Sequence, residues 1–183
     1  MLMVKESESI TFRIPSDLLE LLRNEAQEDN ISLNTLVNQV IIGHEKWHKY
    51  SKKAGFITIP KDFQKLLMSK VTNDEIIQIT QQKSKYCKDV VSMLRTSYSL
   101  DSFLDVMETW FKISNFPYRK DKSENKLRLT VQHNMGEKWS IFLSSLIQIN
   151  LEKLIDEKSI IEMTDETVIV EIPIKLNNTP IHS

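Results

Sequence analysis

Six residues, Ser9-Ile10-Thr11-Phe12-Arg13-Ile14, alternate polar and apolar with period two, and two short amphipathic helical patterns follow them directly. Pro15 ends the strand, because proline donates no ladder bond and suits the first turn of a helix. Ser16 and Asp17 bring acceptors and negative charge to that helix start, and Leu18, Leu19, Leu22 and Ala26 recur at helical spacing through about Glu28. Asp29-Asn30-Ile31 breaks the pattern, and Ser32 is placed to cap a second helix. There Leu33, Leu36, Val37, Val40 and Ile41 mark one apolar face, and the periodicity carries on towards Trp47. A single strand leaves its amides unpaired, and two short helices cannot bury their own apolar faces. Such a unit needs a partner, and the simplest partner is a second copy of itself.

The string Ile10-Thr11-Phe12-Arg13-Ile14-Pro15-Ser16-Asp17-Leu18-Leu19-Glu20-Leu21-Leu22-Arg23 resembles the start of Arc/MetJ-type ribbon-helix-helix repressors. So does the continuation Ala26…Asn30-Ile31-Ser32-Leu33-Asn34-Thr35-Leu36-Val37, and the resemblance covers about residues 9–44. In that family one strand from each subunit pairs as an antiparallel ribbon that enters the DNA major groove. The resemblance implies that Ser9, Thr11 and Arg13 face base edges, with Arg13 able to donate two hydrogen bonds to guanine. It also implies a dimer core of Ile10, Phe12, Ile14, Leu22, Leu36, Val37 and Val40. Ser32, Leu33 and Asn34, opening the second helix, would hold a phosphate through backbone amides and the helix dipole. Ser9 and Thr11 are shorter readers than the family usually carries. The rest of the chain is more loosely similar to uncharacterised archaeal proteins with the same N-terminal module.

Charge gives this module no help. Residues 1–50 hold five Lys/Arg and eight Asp/Glu, a net of −3, and the whole chain carries −1. A nucleic-acid surface usually shows a basic patch. Amide contacts to phosphate and the pair of Arg13 side chains in a doubled ribbon partly offset the deficit.

Beyond Tyr50 the polar, basic stretch Ser51-Lys52-Lys53-Ala54 reads as a hinge. Pro60 opens a helix with Phe63, Leu66 and Leu67 on one face, and Thr72 caps another that carries Ile76, Ile77 and Ile79. A third contains Val90, Val91 and Leu94. A fourth, capped by Ser99, follows 3-4-3 spacing from Leu100 to Phe111, until Asn115-Phe116-Pro117 stops it. Tyr118–Lys120 and Lys126–His133 form a hairpin pattern around Asp121–Asn125. Gly136 turns into the longest helix, with Trp139, Leu143, Ile147, Leu151 and Leu154 in its core stripe. Ile160–Met163 and Thr167–Ile172 then make a second hairpin.

Three glycines, where roughly 7% usage would give about a dozen, exclude glycine-rich phosphate loops and favour helices. No cofactor is expected. The lone Cys87 forms no internal disulfide, and no stretch reaches the 18 or more apolar residues of a membrane span. The opening residues show no signal-peptide pattern. A soluble, cytoplasmic protein with no membrane partner is the expectation.

Two further motifs carry chemistry. His44-Glu45-Lys46-Trp47-His48 matches H-E-x-x-H, in which two imidazoles one helical turn apart can hold zinc, so His44 and His48 are candidate metal ligands. No companion third ligand follows at a recognisable spacing. At His133-Asn134-Met135-Gly136-Glu137-Lys138-Trp139 a strand ends, a glycine turns and a helix begins, a common place for anions or ligands. His133, Gly136 and Lys138 are the candidate ligand residues there. Arg119, Lys120, Lys122, Lys126 and Arg128 gather on the first hairpin, most simply as a solvated tip.

The expected fold is therefore α+β and helix-rich. Residues 1–50 form a ribbon-helix-helix dimerisation and DNA-binding module, and 51–57 a hinge. Residues 58–175 form a mostly helical sensor or oligomerisation domain with two short β-hairpins, and 176–183 a tail. The expected function is a sequence-specific DNA-binding transcriptional regulator, most simply a repressor, and not an enzyme. It would act as a homodimer or dimer of dimers on double-stranded DNA. A small-molecule effector or a protein partner would engage the second domain. The alternatives are an antitoxin-like protein whose C-terminal domain binds a protein partner, and a metal-binding protein using His44 and His48.

Overall fold

The computed structural model describes residues 8–174, in two compact units that divide between Glu45 and Lys46. This boundary lies earlier than the hinge expected at 51–57. The reason is local: Trp47 and Ala54 are 7% and 6% exposed and belong to the core of the second unit. The expected tail, 176–183, lies outside the described residues.

In the first unit, residues 8–15 carry no hydrogen-bonded strand in the single chain, so the expected ribbon is not formed there. A ladder needs a second strand, and among the described residues none pairs with this segment. Helix α1 (Ser16–Glu28) follows Pro15, whose φ of −51° suits a helix start. It ends where Asn30 takes a left-handed φ of 54°. The Asn30 amide donates to Gln27 O at 3.1 Å and the Ile31 amide to Ala26 O at 2.9 Å. That pair of bonds closes the helix end, and asparagine tolerates the backbone it needs. Ser32 Oγ then accepts from the Thr35 amide at 3.0 Å and caps α2 (Leu33–Gly43). Only Ala26 and Leu36 are buried in these two helices.

The unit boundary falls within a π turn over His44–His48, and the short α3 (Lys49–Ser51) follows, with a turn after it in which Gly55 takes φ 75°. Then come α4 (Lys61–Ser69), α5 (Asn73–Gln82), α6 (Ser84–Arg95) and α7 (Leu100–Ile113). Thr72 and Glu75 cap α5 reciprocally: the Thr72 amide donates to Glu75 Oε2 at 2.8 Å and the Glu75 amide to Thr72 Oγ1 at 3.3 Å. Those hydrogen bonds hold the Glu75 carboxyl below its usual range. Arg95 ties α6 to α7, bonding the Asp105 carboxylate, Thr109 Oγ1 at 2.9 Å and, at 3.0 Å, the Lys46 carbonyl.

Strands β1 (Tyr118–Lys122) and β2 (Lys126–Gln132) form the first hairpin, α8 (Glu137–Leu154) follows, and β3 (Ile160–Met163) and β4 (Thr167–Pro173) form the second. The two hairpins are not separate. β2 and β4 pair antiparallel, with Leu129 opposite Val170, giving one sheet in the order β1-β2-β4-β3. Along β2 and β4, Leu127, Leu129, Val131, Val168, Val170 and Ile172 turn to one face and are 7% exposed or less. Period-two alternation puts the polar partners Arg128 and Glu171 on the other face, where they lie 3.4 Å apart. Leu143, Ile147 and Leu151 of α8 are at most 1% exposed and join the same core, and α8 also touches α4, α5 and α6. One apolar face does not go inside: Phe63, Leu66 and Leu67 of α4 are 53%, 55% and 46% exposed.

Candidate functional site

In the first unit the expected dimer-core and DNA-facing residues fall on one small scaffold. Arg13, Ser9 and Thr11 are exposed on residues 8–15, as are Ile10 and Phe12 at 74% and 53%. Ile14, Leu22 and Val37 are half-buried, Leu36 is buried and Val40 is 59% exposed. Leu18, Leu21, Ile41 and Ile42 add further exposed apolar surface. At the start of α2, Ser32 satisfies the Thr35 amide. The first-turn amides of Leu33 and Asn34 have no acceptor within the helix.

The strand-end motif of the second unit is tied together by its own hydrogen bonds. His133 is 1% exposed. Its Nδ1 accepts from the Met135 amide at 3.0 Å, which puts the ring proton on Nε2, and Nε2 donates to Ser140 Oγ at 2.8 Å. Ser140 Oγ in turn donates to the Thr164 carbonyl at 2.6 Å. Burial drives the histidine pKa down to about 4, against the pull of Glu166 and with help from Lys65. Asn134 and Gly136 take left-handed φ values of 57° and 87°, and the Gly136 amide donates to Glu166 Oε2 at 3.3 Å. Lys138 bonds the carbonyls of Ser69 and Val71, closing the C-terminal end of α4. His133, Gly136 and Lys138, the candidate ligand residues, thus each bond a neighbouring element.

His44 and His48 are exposed at the two ends of the π turn. Its hydrogen bonds run five residues back, so positions i and i+4 are offset from the stacking an α-helix gives them. Among the described residues no three His, Cys, Asp or Glu side chains gather to hold a metal ion.

The sequence did not single out the concavity that α5, α6, α7 and α8 enclose in the second unit. It has a volume of about 490 Å³, within the range of small-molecule sites. Its floor includes Phe103 and Val91, each 1% exposed, and its wall includes Trp110 and the stacked pair Trp47 and Phe56, 5.0 Å between centroids. Tyr86 donates its hydroxyl to the Ala54 carbonyl and so fastens the Trp47–Phe56 segment beside α6. A second hollow of about 610 Å³ near Trp139, His48 and Lys61 is more polar. Lys61 there donates to the Asn115 carbonyl at 3.2 Å and lies 4.6 Å from the Phe116 ring centroid. The apolar side chains around the first hollow sit at ordinary helical spacing, which marks them as buried but cannot tell a filled core from an open one.

The chain matches no protein-family model, no curated protein and no solved structure. Function therefore rests on the chemistry of these two units. No helix among the described residues is long and apolar enough to cross a membrane.

Proposed function

We propose that the chain is a cytoplasmic, sequence-specific DNA-binding regulator, most simply a repressor, that works as a homodimer or a dimer of dimers. In this reading residues 9–14 pair with their counterparts from a second copy and enter the major groove as a two-stranded ribbon. The observation that carries the reading is the bareness of the first unit. Two helices bury two residues between them, while Ile10, Phe12, Leu18, Leu21 and Val40 stand 46–74% exposed. Apolar surface of this extent on so small a unit calls for a partner. A self-complementary partner buries it and supplies the missing strand together. Supporting it is the capped start of α2, whose outward amides suit a phosphate beside the ribbon. Arg13, Ser9 and Thr11 alternate with the apolar residues and so fall on the opposite face of that ribbon.

The test is fluorescence-anisotropy binding of the full chain to pooled duplex fragments at two salt concentrations, with Arg13→Ala beside the wild type. Bidentate arginine–guanine contacts are each worth roughly 1–3 kcal/mol, so loss of both in a dimer weakens specific binding at least tenfold. Wild-type binding that falls steeply with salt and is lost in a still-dimeric Arg13→Ala protein is the expected result. Wild-type protein that binds no fragment at either salt overturns the proposal.

A further inference from the structure

We propose that the hollow between α5, α6, α7 and α8 is a binding site for a small apolar monocarboxylate. At about 490 Å³ the hollow falls within the range of small-molecule sites.

The lining defines the chemistry of that ligand by elimination. Around it are aromatic and aliphatic carbons from Trp47, Phe103, Met107, Trp110 and Phe142. The polar side chains among them are already committed or uncharged. The Thr80 hydroxyl donates to the Ile76 carbonyl at 2.7 Å, and the Tyr86 hydroxyl to the Ala54 carbonyl. Burial pushes the Cys87 thiol up to about 11, so it stays a neutral, weak donor near pH 7. One charged group remains, the exposed Lys83 where α5 gives way to α6, and it is a cation. Ile79 and Tyr86 beside it are 51% and 47% exposed, so this end of the hollow is open to solvent. A molecule that enters there buries carbon against carbon and leaves one negative group at Lys83. A polyanion or a sugar has no matching partners inside, because each unmatched polar group would lose its water without replacement. A cation meets Lys83.

The binding step stands apart from the DNA reading, and only its regulatory consequence, a change in operator affinity, rests on that reading. It is therefore measured without DNA. Dodecanoate and 2-naphthoate, both kept below the micellar range, are titrated calorimetrically into the full chain, with dodecan-1-ol as the uncharged comparison. At least one of the acids should saturate at one molecule per chain. Lys83→Gln alters only the exposed rim; it should weaken the acid about two- to fivefold, the range of an exposed ion pair, and leave the alcohol unchanged. Leu146→Trp, at a half-buried lining position on α8, should abolish binding of both while circular dichroism reports an unchanged fold. Neither acid saturating, or acid binding that Lys83→Gln leaves intact, overturns the proposal. So does an acid that competes with self-association in sedimentation without filling one site per chain, since a second copy would then cover the hollow.

Discussion

The two units of this chain solve the same physical problem in opposite ways. Residues 46–174 close their own core: Phe111, Val131, Leu143, Leu151, Val168 and Val170 have no exposed surface, and a sheet and a long helix cover one another. Residues 8–45 have helix ends just as well made, yet bury only Ala26 and Leu36. Local signals therefore do not decide whether a unit stands alone. What decides it is whether enough apolar surface finds a cover, since burial supplies most of the driving force and good caps contribute about 1 kcal/mol each.

The sharpest way to break this comparison is a matched pair of truncations. Phe111→Ala opens a cavity in a sealed core and should cost about 3–5 kcal/mol. Chemical denaturation of the second unit, followed by its tryptophan fluorescence, should give that loss at every protein concentration. Phe12→Ala removes a ring that is 53% exposed in the single chain. On an isolated subunit it should cost within about 0.5 kcal/mol. In a paired ribbon the same ring is buried, and the loss should approach that of Phe111→Ala and appear as weaker self-association in sedimentation. Unchanged self-association in Phe12→Ala would mean that the first unit covers its apolar face in some other way.

Much of the second unit was legible in the sequence because its signals are local. Both hairpins, the Ser99 and Thr72 caps and the long helix after Gly136 stand where turn residues and periodicity place them. The joining of the hairpins through β2 and β4 was not legible, because α8 and β3 lie between them in the chain, and nothing in either strand names its neighbour. The exposed Phe63, Leu66 and Leu67 show the opposite failure: an apolar helical face implies burial against something, without naming what covers it. At His133 the sequence marks a place but does not name what its nitrogens hold. A histidine at a strand end looks the same whether its nitrogens await a ligand or already hold Met135 and Ser140. The hollow beside Lys83 had no readable sign, since core and cavity call for the same residues.

That buried histidine gives the second unit a pH dependence. His133 has its folded pKa pushed down to about 4, below its unfolded value near 6.5, with Glu166 and Lys65 the charged groups acting on it. The unfolded chain therefore binds the proton first. Stability is fully present above about pH 6.5 and is lost as pH falls towards 4, by up to about 3 kcal/mol. Denaturation midpoints of the second unit should fall across this window in the wild type. In His133→Gln the slope should flatten, at a lower stability throughout. A wild-type midpoint that stays level from pH 6.5 to 4.5 would show that the imidazole is not held neutral.

The smallest effects come from the two caps, and they separate structure from recognition. Thr72→Ala removes both hydroxyl bonds of the α5 capping box, and Ser32→Ala removes the acceptor of the Thr35 amide at α2. Each should cost about 1 kcal/mol. For Thr72→Ala that is the whole effect, read in the unfolding midpoint of the second unit. Ser32 sits beside the amides of Leu33 and Asn34, to which the DNA reading assigns a phosphate. Those amides are backbone groups and survive the substitution. Ser32→Ala should therefore loosen the end of α2 and weaken DNA binding uniformly across sequences, by less than Arg13→Ala does, while keeping the same order of preference among fragments. A Ser32→Ala protein that reorders its preferences would place the hydroxyl itself against a base. The reading face of the first unit would then extend from the ribbon onto the start of α2.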